Sequence, residues 1–230
     1  MADITVLSTL ATEQAYHDLL PGFEQATGHQ VTTSFTGTVD VKKRIAAGEA
    51  FDLLIMASTD IDGFIGSGIL APGSRADLAS SGVGVAVRLG AAKPDIGSVD
   101  ALKAALLAAR TVGYSTGPSG NYVLGLFERL DIAAEIKPKL RLAPTGAFVG
   151  SLIANGEAEL GFQQMSELTH YAGIELVGPL PADIQKTTIF ACGIAAKAKA
   201  PAAARALAEA LTAPAAAAVY RRRGLQPANG

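Results

Sequence analysis

A strand, a tight turn and a helix follow one another between Thr111 and Tyr122, in the sequence TVGYSTGPSGNY. The Gly117-Pro118-Ser119-Gly120 segment is typical of a turn, and apolar residues at helical spacing continue to Leu130. A helix N-terminus leaves backbone N–H groups unpaired and carries partial positive charge. The turn, with the hydroxyls of Ser115 and Ser119, therefore suits an oxyanion or a carboxylate.

This arrangement recurs after three other predicted strands. Ile4–Leu7 leads into a hydroxyl-rich turn, and so do Val31–Phe35 and Leu140–Ala143. Repeated strand-turn-helix units predict an α/β fold with mostly parallel strands. Because the carboxyl ends of parallel strands share one edge of a sheet, we expect these turns to meet there and to bind a ligand. One such turn alone would be explained by capping of its own helix.

The candidate ligand-binding residues lie in these turns and near two further strand ends. Those in the turns are Ser8, Thr9, Thr36, Gly37, Thr38, Ser115, Ser119, Gly120 and Thr145. Gln163 and Gln164 end the predicted strand 158–164, and Arg88 ends the predicted strand 82–88. A surface position at a strand end is an equally good interpretation of Arg88.

Composition excludes several function classes. A net charge of -2 and a pI near 5.9 give no basic surface, so no nucleic-acid partner is expected. No stretch reaches the roughly twenty apolar residues of a membrane span. Cys192 is the single cysteine, which excludes an intrachain disulfide and favours a buried, inert thiol. No metal or cofactor motif is present, so we predict no cofactor, and a monomer is the expected state.

Two blocks of β-α units, joined by two long extended segments, predict two lobes. The expected boundaries are 1–82 with 190–230 for lobe 1 and 83–189 for lobe 2, with a hinge near 83–88 and 186–193. Each lobe is predicted to be a sheet flanked by helices. The hydroxyl-rich turns would then face each other across a cleft, two from each lobe.

The whole chain resembles the molybdate-binding (ModA-like) family of type II periplasmic solute-binding proteins. The matching segments are ITVLSTLATEQAYHDLLPGFEQATGHQV, IAAGEAFDLLIMAS, PSGNY, GEAELGFQQMSEL and LTAPAAAAVYRRRGL. The resemblance implies a serine ligand where this chain has Ala11 and a tyrosine ligand near Gln164. Ser8, Thr9 or Thr12 could replace the serine. Amides at Gln163 and Gln164 suit a larger organic ligand, because an amide both donates and accepts.

Other segments resemble a branch of this family that includes aconitate isomerase. They are SRADLASSGVGVAVRLGAAKPDIGSVDALKAALLAA, GFQQMSEL and GIELVGPLPADIQ. This resemblance implies a tricarboxylate ligand, which calls for cations. The candidates are Arg75, Arg88, Lys42, Lys43 and Arg44, with Arg88 preferred on the prediction that it lies at the lobe junction. Allylic proton transfer also needs a base, and the sequence offers no obvious one. The groups nearest the predicted turns are Glu167, His170, Tyr114 and Tyr122.

The preferred hypothesis is a solute-binding protein of the ABC-transporter type that clamps a small anion, an organic di- or tricarboxylate rather than molybdate. A membrane permease is a possible partner. The alternative is an enzyme that interconverts cis- and trans-aconitate. A periplasmic location is expected if an export leader has been removed, and a cytoplasmic one if Met1 is the native start.

Overall fold

A computed structural model describes residues 1–169 and 171–228 as an α/β protein. The strands are β1 Asp3–Thr9, β2 Gln30–Thr36, β3 Leu53–Ala57, β4 Ala76–Arg88, β5 Val112–Tyr114, β6 Leu140–Leu142, β7 Leu160–Gln164, β8 Ile174–Pro179, β9 Thr187–Ile194 and β10 Gln226–Pro227. The predicted α/β class, with helices flanking the strands, is confirmed. The strands run in mixed directions, with antiparallel pairs beside the parallel pairs that were predicted.

Helices alternate with these strands along most of the chain. They are α1 Glu13–Thr27, α2 Thr38–Ala46, α3 Ser58–Gly66, α4 Val99–Ala108, α5 Pro118–Arg129, α6 Ala133–Ile136, α7 Val149–Ala154, α8 Met165–Leu168, α9 Pro201–Thr212 and α10 Ala217–Arg222. Short 3₁₀ turns occur at Leu10–Thr12, Lys137–Lys139, Ala182–Ile184 and Pro214–Ala216. None of the described helices is long and apolar enough to cross a membrane.

The chain forms two compact units. Unit 1 comprises Met1–Ser81 and Thr188–Gly230, and unit 2 comprises Gly82–Thr187. The chain passes from unit 1 to unit 2 within β4 and returns at the start of β9.

In unit 1, β1 lies between β2 and β3 and runs parallel to both, whereas β9 is antiparallel to β3. Alternate residues of these strands enter two apolar clusters. One contains Val6 and Cys192 and packs on α1 and α9, and the other contains Leu7 and packs on α2 and α3. The sheet is therefore buried on both faces, as is usual for parallel strands. Cys192 is fully buried, as predicted, and burial raises the pKa of its thiol to about 12.

In unit 2, β5 runs parallel to β6 and β7, and β4 pairs antiparallel with β7 and β8. One face packs on α4 and α5 through residues such as Leu102 and Leu126. The other face packs on α7 and α8 through Ile153 and Leu168. Within each unit, parallel strands consequently end at a common edge, where the next helices begin.

Candidate functional site

The turn after β1 contains buried hydroxyls with no hydrogen-bond partner. Ser8 is fully buried and its hydroxyl donates to the Thr9 carbonyl at 2.9 Å. Thr9 is 6% exposed and Thr12 2% exposed, yet neither Oγ1 has a hydrogen-bond partner within 1–169 and 171–228. Neither hydroxyl caps the 3₁₀ turn or α1, which begin beside them. An unpaired buried hydroxyl costs about 1–3 kcal/mol, so these two groups are the candidates in this turn to bind a ligand.

Glu13, the first residue of α1, lies next to these hydroxyls in the chain. Its Oε1 is 3.7 Å from His17 Nε2, one turn along the helix. Its Oε2 is buried and has no hydrogen-bond partner in the described part of the chain. Burial raises the pKa of the Glu13 carboxyl above its ordinary value, and the positive charge of His17 offsets part of this effect. The turn thus holds a carboxyl group that favours its protonated form more than an exposed glutamate does.

The turn after β2 lies beside the turn after β1. The parallel register pairs Thr9 with Thr36, the last residues of the two strands. Gly37 is the N-cap of α2, and no side chain among the described residues caps this helix. The two turns of unit 1 therefore bring Ser8, Thr9 and Thr36–Thr38 to one edge, as the sequence predicted for parallel neighbours.

The turn after β5 contains the central predicted residues of unit 2. Gly117 is the N-cap of α5, Pro118 begins the helix, and Ser115 Oγ accepts the Gly117 N–H at 3.3 Å. No side-chain cap is found for α5 in the described chain. Ser119 is 2% exposed. Gly120 is in close contact with the turn, since an ideal Cβ there would lie 1.6 Å from the Ser115 carbonyl oxygen.

The two glutamines hold helix ends rather than projecting freely. Gln163 is 1% exposed and its Oε1 accepts the N–H of Val149, the first residue of α7, at 2.7 Å. Gln164 forms a capping box with Glu167 at the start of α8. Thr145 lies in the exposed turn between β6 and α7. The carbonyl side of the Gln163 amide is thus already engaged, and its NH₂ is the half left to donate elsewhere.

The prediction that Arg88 lies at the junction of the lobes is wrong. The units divide between Ser81 and Gly82, and about 20 Å of extended strand separates that point from Arg88. Arg88 lines a pocket with Leu160, the first residue of β7, whereas Gln164 is the last residue of that strand. Arg88 therefore lies at the opposite edge of unit 2 from the turns. The predicted hinge at 83–88 included Arg88, whereas the units divide before this segment, which lies within unit 2.

Three other predicted cations already have carboxylate partners. Lys42 pairs with Asp60 at 2.6 Å, Arg44 with Glu49, and Arg75 with both Asp62 and Asp77. Lys43 lies exposed on α2. In unit 1, the charge of a bound anion would be balanced mainly by backbone N–H groups, hydroxyls and helix dipoles.

Two of the four groups considered as bases from the sequence, Glu167 and Tyr122, have structural roles. The carboxylate of Glu167 accepts the Gln164 N–H at 3.2 Å. Tyr122 donates to the Ile184 carbonyl at 2.6 Å and accepts from Arg129. Tyr114 is half-buried on β5, and His170 lies outside the described residues. No group of three or more potential metal ligands is found in the described chain.

Sequence reasoning missed Glu13. An acidic residue in the first turn of a helix is ordinarily a favourable surface charge, so its position alone gave no reason to single it out. The available signal was the position of Glu13 directly after the hydroxyls of Thr9 and Thr12, at a turn that was predicted to bind a ligand.

A family model described as bacterial extracellular solute-binding protein matches residues 4–226. The chain is 36% identical over 230 residues to a curated aconitate isomerase from Pseudomonas sp, covering 97% of this chain and 87% of that protein. These matches agree with both sequence resemblances, to the solute-binding family and to its aconitate isomerase branch.

Solved structures show the same fold. The periplasmic molybdate-binding protein of Azotobacter vinelandii matches with a TM-score of 0.78 and 21% identity, over 96% of this chain and 98% of that one. The sulfate-binding protein SubI of Mycobacterium tuberculosis H37Rv matches with a TM-score of 0.78 and 18% identity, over 100% of this chain and 88% of that one. The type II periplasmic-binding-protein fold is thereby confirmed.

Proposed function

Because the chain belongs to the family of bacterial extracellular solute-binding proteins, we propose that it binds a small organic anion with two or three carboxylates. The observation that carries this proposal is the pair of buried, unpartnered hydroxyls of Thr9 and Thr12 in the turn after β1. The start of α2, in the same unit, supplies further donors, since no side chain among the described residues caps it. A periplasmic location and delivery to a membrane permease accompany this function.

Carboxylates suit this turn better than a symmetric inorganic oxyanion does. The serine expected of the molybdate-binding family is Ala11 here, and the tyrosine is replaced near Gln164. Small symmetric anions are selected by a complete set of matched donors. A ligand whose carboxylates extend in several directions can instead use donors from separate turns. The 36% identity to an aconitate isomerase supports ligands of the aconitate class.

Ligand-dependent thermal unfolding tests this proposal. The ligands are cis-aconitate, trans-aconitate and citrate beside molybdate and sulfate. At a hundred times its dissociation constant a ligand adds about 2.7 kcal/mol, which raises Tm by roughly 5–11 °C for a chain of this length. We expect that shift with the carboxylates. A shift with molybdate or sulfate alone, or with none of the ligands, would contradict the proposal.

A double variant, Thr9→Val with Thr12→Val, links the shift to the turn. Valine keeps a similar shape and removes the unpaired hydroxyls, so the unliganded Tm should stay equal or rise. The ligand-induced shift should fall sharply. Thr32→Val is the matched control, because Thr32 is exposed on β2, away from the strand end, and it should leave the shift unchanged.

A second candidate function is the interconversion of cis- and trans-aconitate. The match to an aconitate isomerase and the presence of Glu13 beside the hydroxyls favour it. Incubation with either isomer, followed by ultraviolet absorbance, tests it directly. If the spectrum is unchanged after prolonged incubation, the isomerase function is excluded and only the binding function stands.

A further inference from the structure

We propose that Glu13 is the catalytic residue that transfers the proton in aconitate isomerisation. This inference rests on the second candidate function and names the group that the sequence could not supply. Glu13 begins α1 directly after the turn that holds Thr9 and Thr12. All three side chains place a buried polar atom in this segment with no hydrogen-bond partner in 1–169 and 171–228.

The environment of Glu13 differs from that of a structural first-turn acid. Such an acid sits in water, where the helix dipole stabilises its ionised form and lowers its pKa. Here burial outweighs the lowering influence of His17 and raises the pKa of the carboxyl. His17 lies on the same helix, with its Nε2 3.7 Å from Oε1. Oε2, the other oxygen, is buried and has no hydrogen-bond partner among residues 1–169 and 171–228.

An anion bound at this turn would strengthen the effect, because two negative charges at one site disfavour ionisation of the weaker acid. A general base works best when its pKa lies near the operating pH. The same ligand that fills the turn would therefore move Glu13 toward the pKa that proton transfer needs.

The proposed reaction is balanced with one carboxylate and no cofactor. Ionised Glu13 takes a proton from the methylene carbon of aconitate. The released electron pair forms a C=C bond to the central carbon, and the original double-bond pair moves to the other terminal carbon and its carboxylate. Protonated Glu13 then returns the proton to that terminal carbon. The Thr9 and Thr12 hydroxyls would donate to the carboxylate oxygens that gain charge.

Glu13→Gln tests the assignment, with Asp100→Asn as the matched control. Asp100 is also a first-turn carboxylate, but it is exposed on α4, which holds no candidate ligand-binding residue, and its loss should leave turnover unchanged. Glu13→Gln should lower kcat about 100-fold or more while the Tm shift with aconitate persists, because the donors remain. Formate should restore part of the activity of Glu13→Ala, a response that a purely structural residue would not give.

The outcomes separate the two proposals. Normal turnover by Glu13→Gln, or no rescue of an inactive but folded Glu13→Ala, overturns the role of Glu13 and leaves the isomerase function standing. No turnover by the unaltered protein, despite an aconitate-induced shift in Tm, overturns the isomerase function and the catalytic role together while binding stands. The assignment is supported if Glu13→Gln loses turnover but still binds aconitate, and if formate restores activity to Glu13→Ala.

Discussion

The turn between β5 and α5 leaves no room for a side chain at Gly120. An ideal Cβ there would meet the Ser115 carbonyl oxygen at 1.6 Å and the Ser115 carbonyl carbon at 2.6 Å. These are backbone atoms, so the contact cannot be relieved by rotating a side chain. Gly120→Ala must therefore displace either the end of the strand or the first turn of the helix.

The magnitude follows from this geometry. An added group in a tightly packed site costs about 1–3 kcal/mol. A clash with backbone atoms belongs at the upper end of that range, because no side chain can move aside to relieve it. A loss of about 3 kcal/mol lowers Tm by roughly 6–12 °C in a chain of this length. The displacement also moves Ser115 and Ser119, two of the candidate ligand-binding residues.

Gly125→Ala is the control within the same helix. The nearest atom to its Cβ would be Arg129 Nη1 at 3.9 Å, an ordinary contact. Because glycine inside a helix costs about 1 kcal/mol relative to alanine, this variant should unfold at an equal or higher temperature. Both are measured by thermal unfolding, with and without trans-aconitate. We expect Gly120→Ala to unfold at a much lower temperature than Gly125→Ala. If the two variants unfold at the same temperature, the described turn is incorrect.

Two further predictions concern carboxyl groups, that of the buried Asp52 and that of the half-buried Glu13. Asp52, 3% exposed, accepts the backbone N–H groups of Thr5, Lys199 and Ala200 at 2.6–3.0 Å, so Asp52→Ala should lose at least 3 kcal/mol; a loss below about 1 kcal/mol in urea unfolding would refute this. Glu13 has a raised pKa in the folded state, so its contribution to stability is present below its unfolded pKa and is lost as pH rises through the folded value. Glu13→Gln should remove that pH-dependent loss, and an unchanged pH profile of unfolding would contradict the assignment of burial as its cause.

The alternation of apolar strands and amphipathic helices predicted the α/β fold, because apolar residues recur at a different spacing in helices than in strands. The helix 13–27 is an example: its buried Ala15, Tyr16 and Phe23 recur at helical spacing, and Gly28 closes it in the left-handed region. The match to the family model confirms the resemblance read from the sequence. Local periodicity and turn chemistry were sufficient for these features.

Positions that depend on strand length and on neighbours distant in sequence could not be derived in the same way. Arg88 was misplaced because the chain passes between the units in the middle of the strand Ala76–Arg88, and not at the end where Arg88 lies. Gln163 is held by Val149 on another helix, a contact that no local pattern indicates. The burial of Glu13 likewise results from packing around α1. Whether the remaining candidate residues contact a ligand stays a prediction.

The path of the chain sets the order in which a growing polypeptide can complete its two units. Unit 2 is continuous from Gly82 to Thr187, whereas unit 1 needs Thr188–Gly230, which is made after unit 2. Until β9 and α9 emerge, β3 lacks its antiparallel neighbour and the apolar cluster around Val6 lacks Leu207. Because domains fold as units during synthesis, unit 2 can finish folding first, and the strands β1 to β3 keep an open sheet edge until β9 pairs with β3.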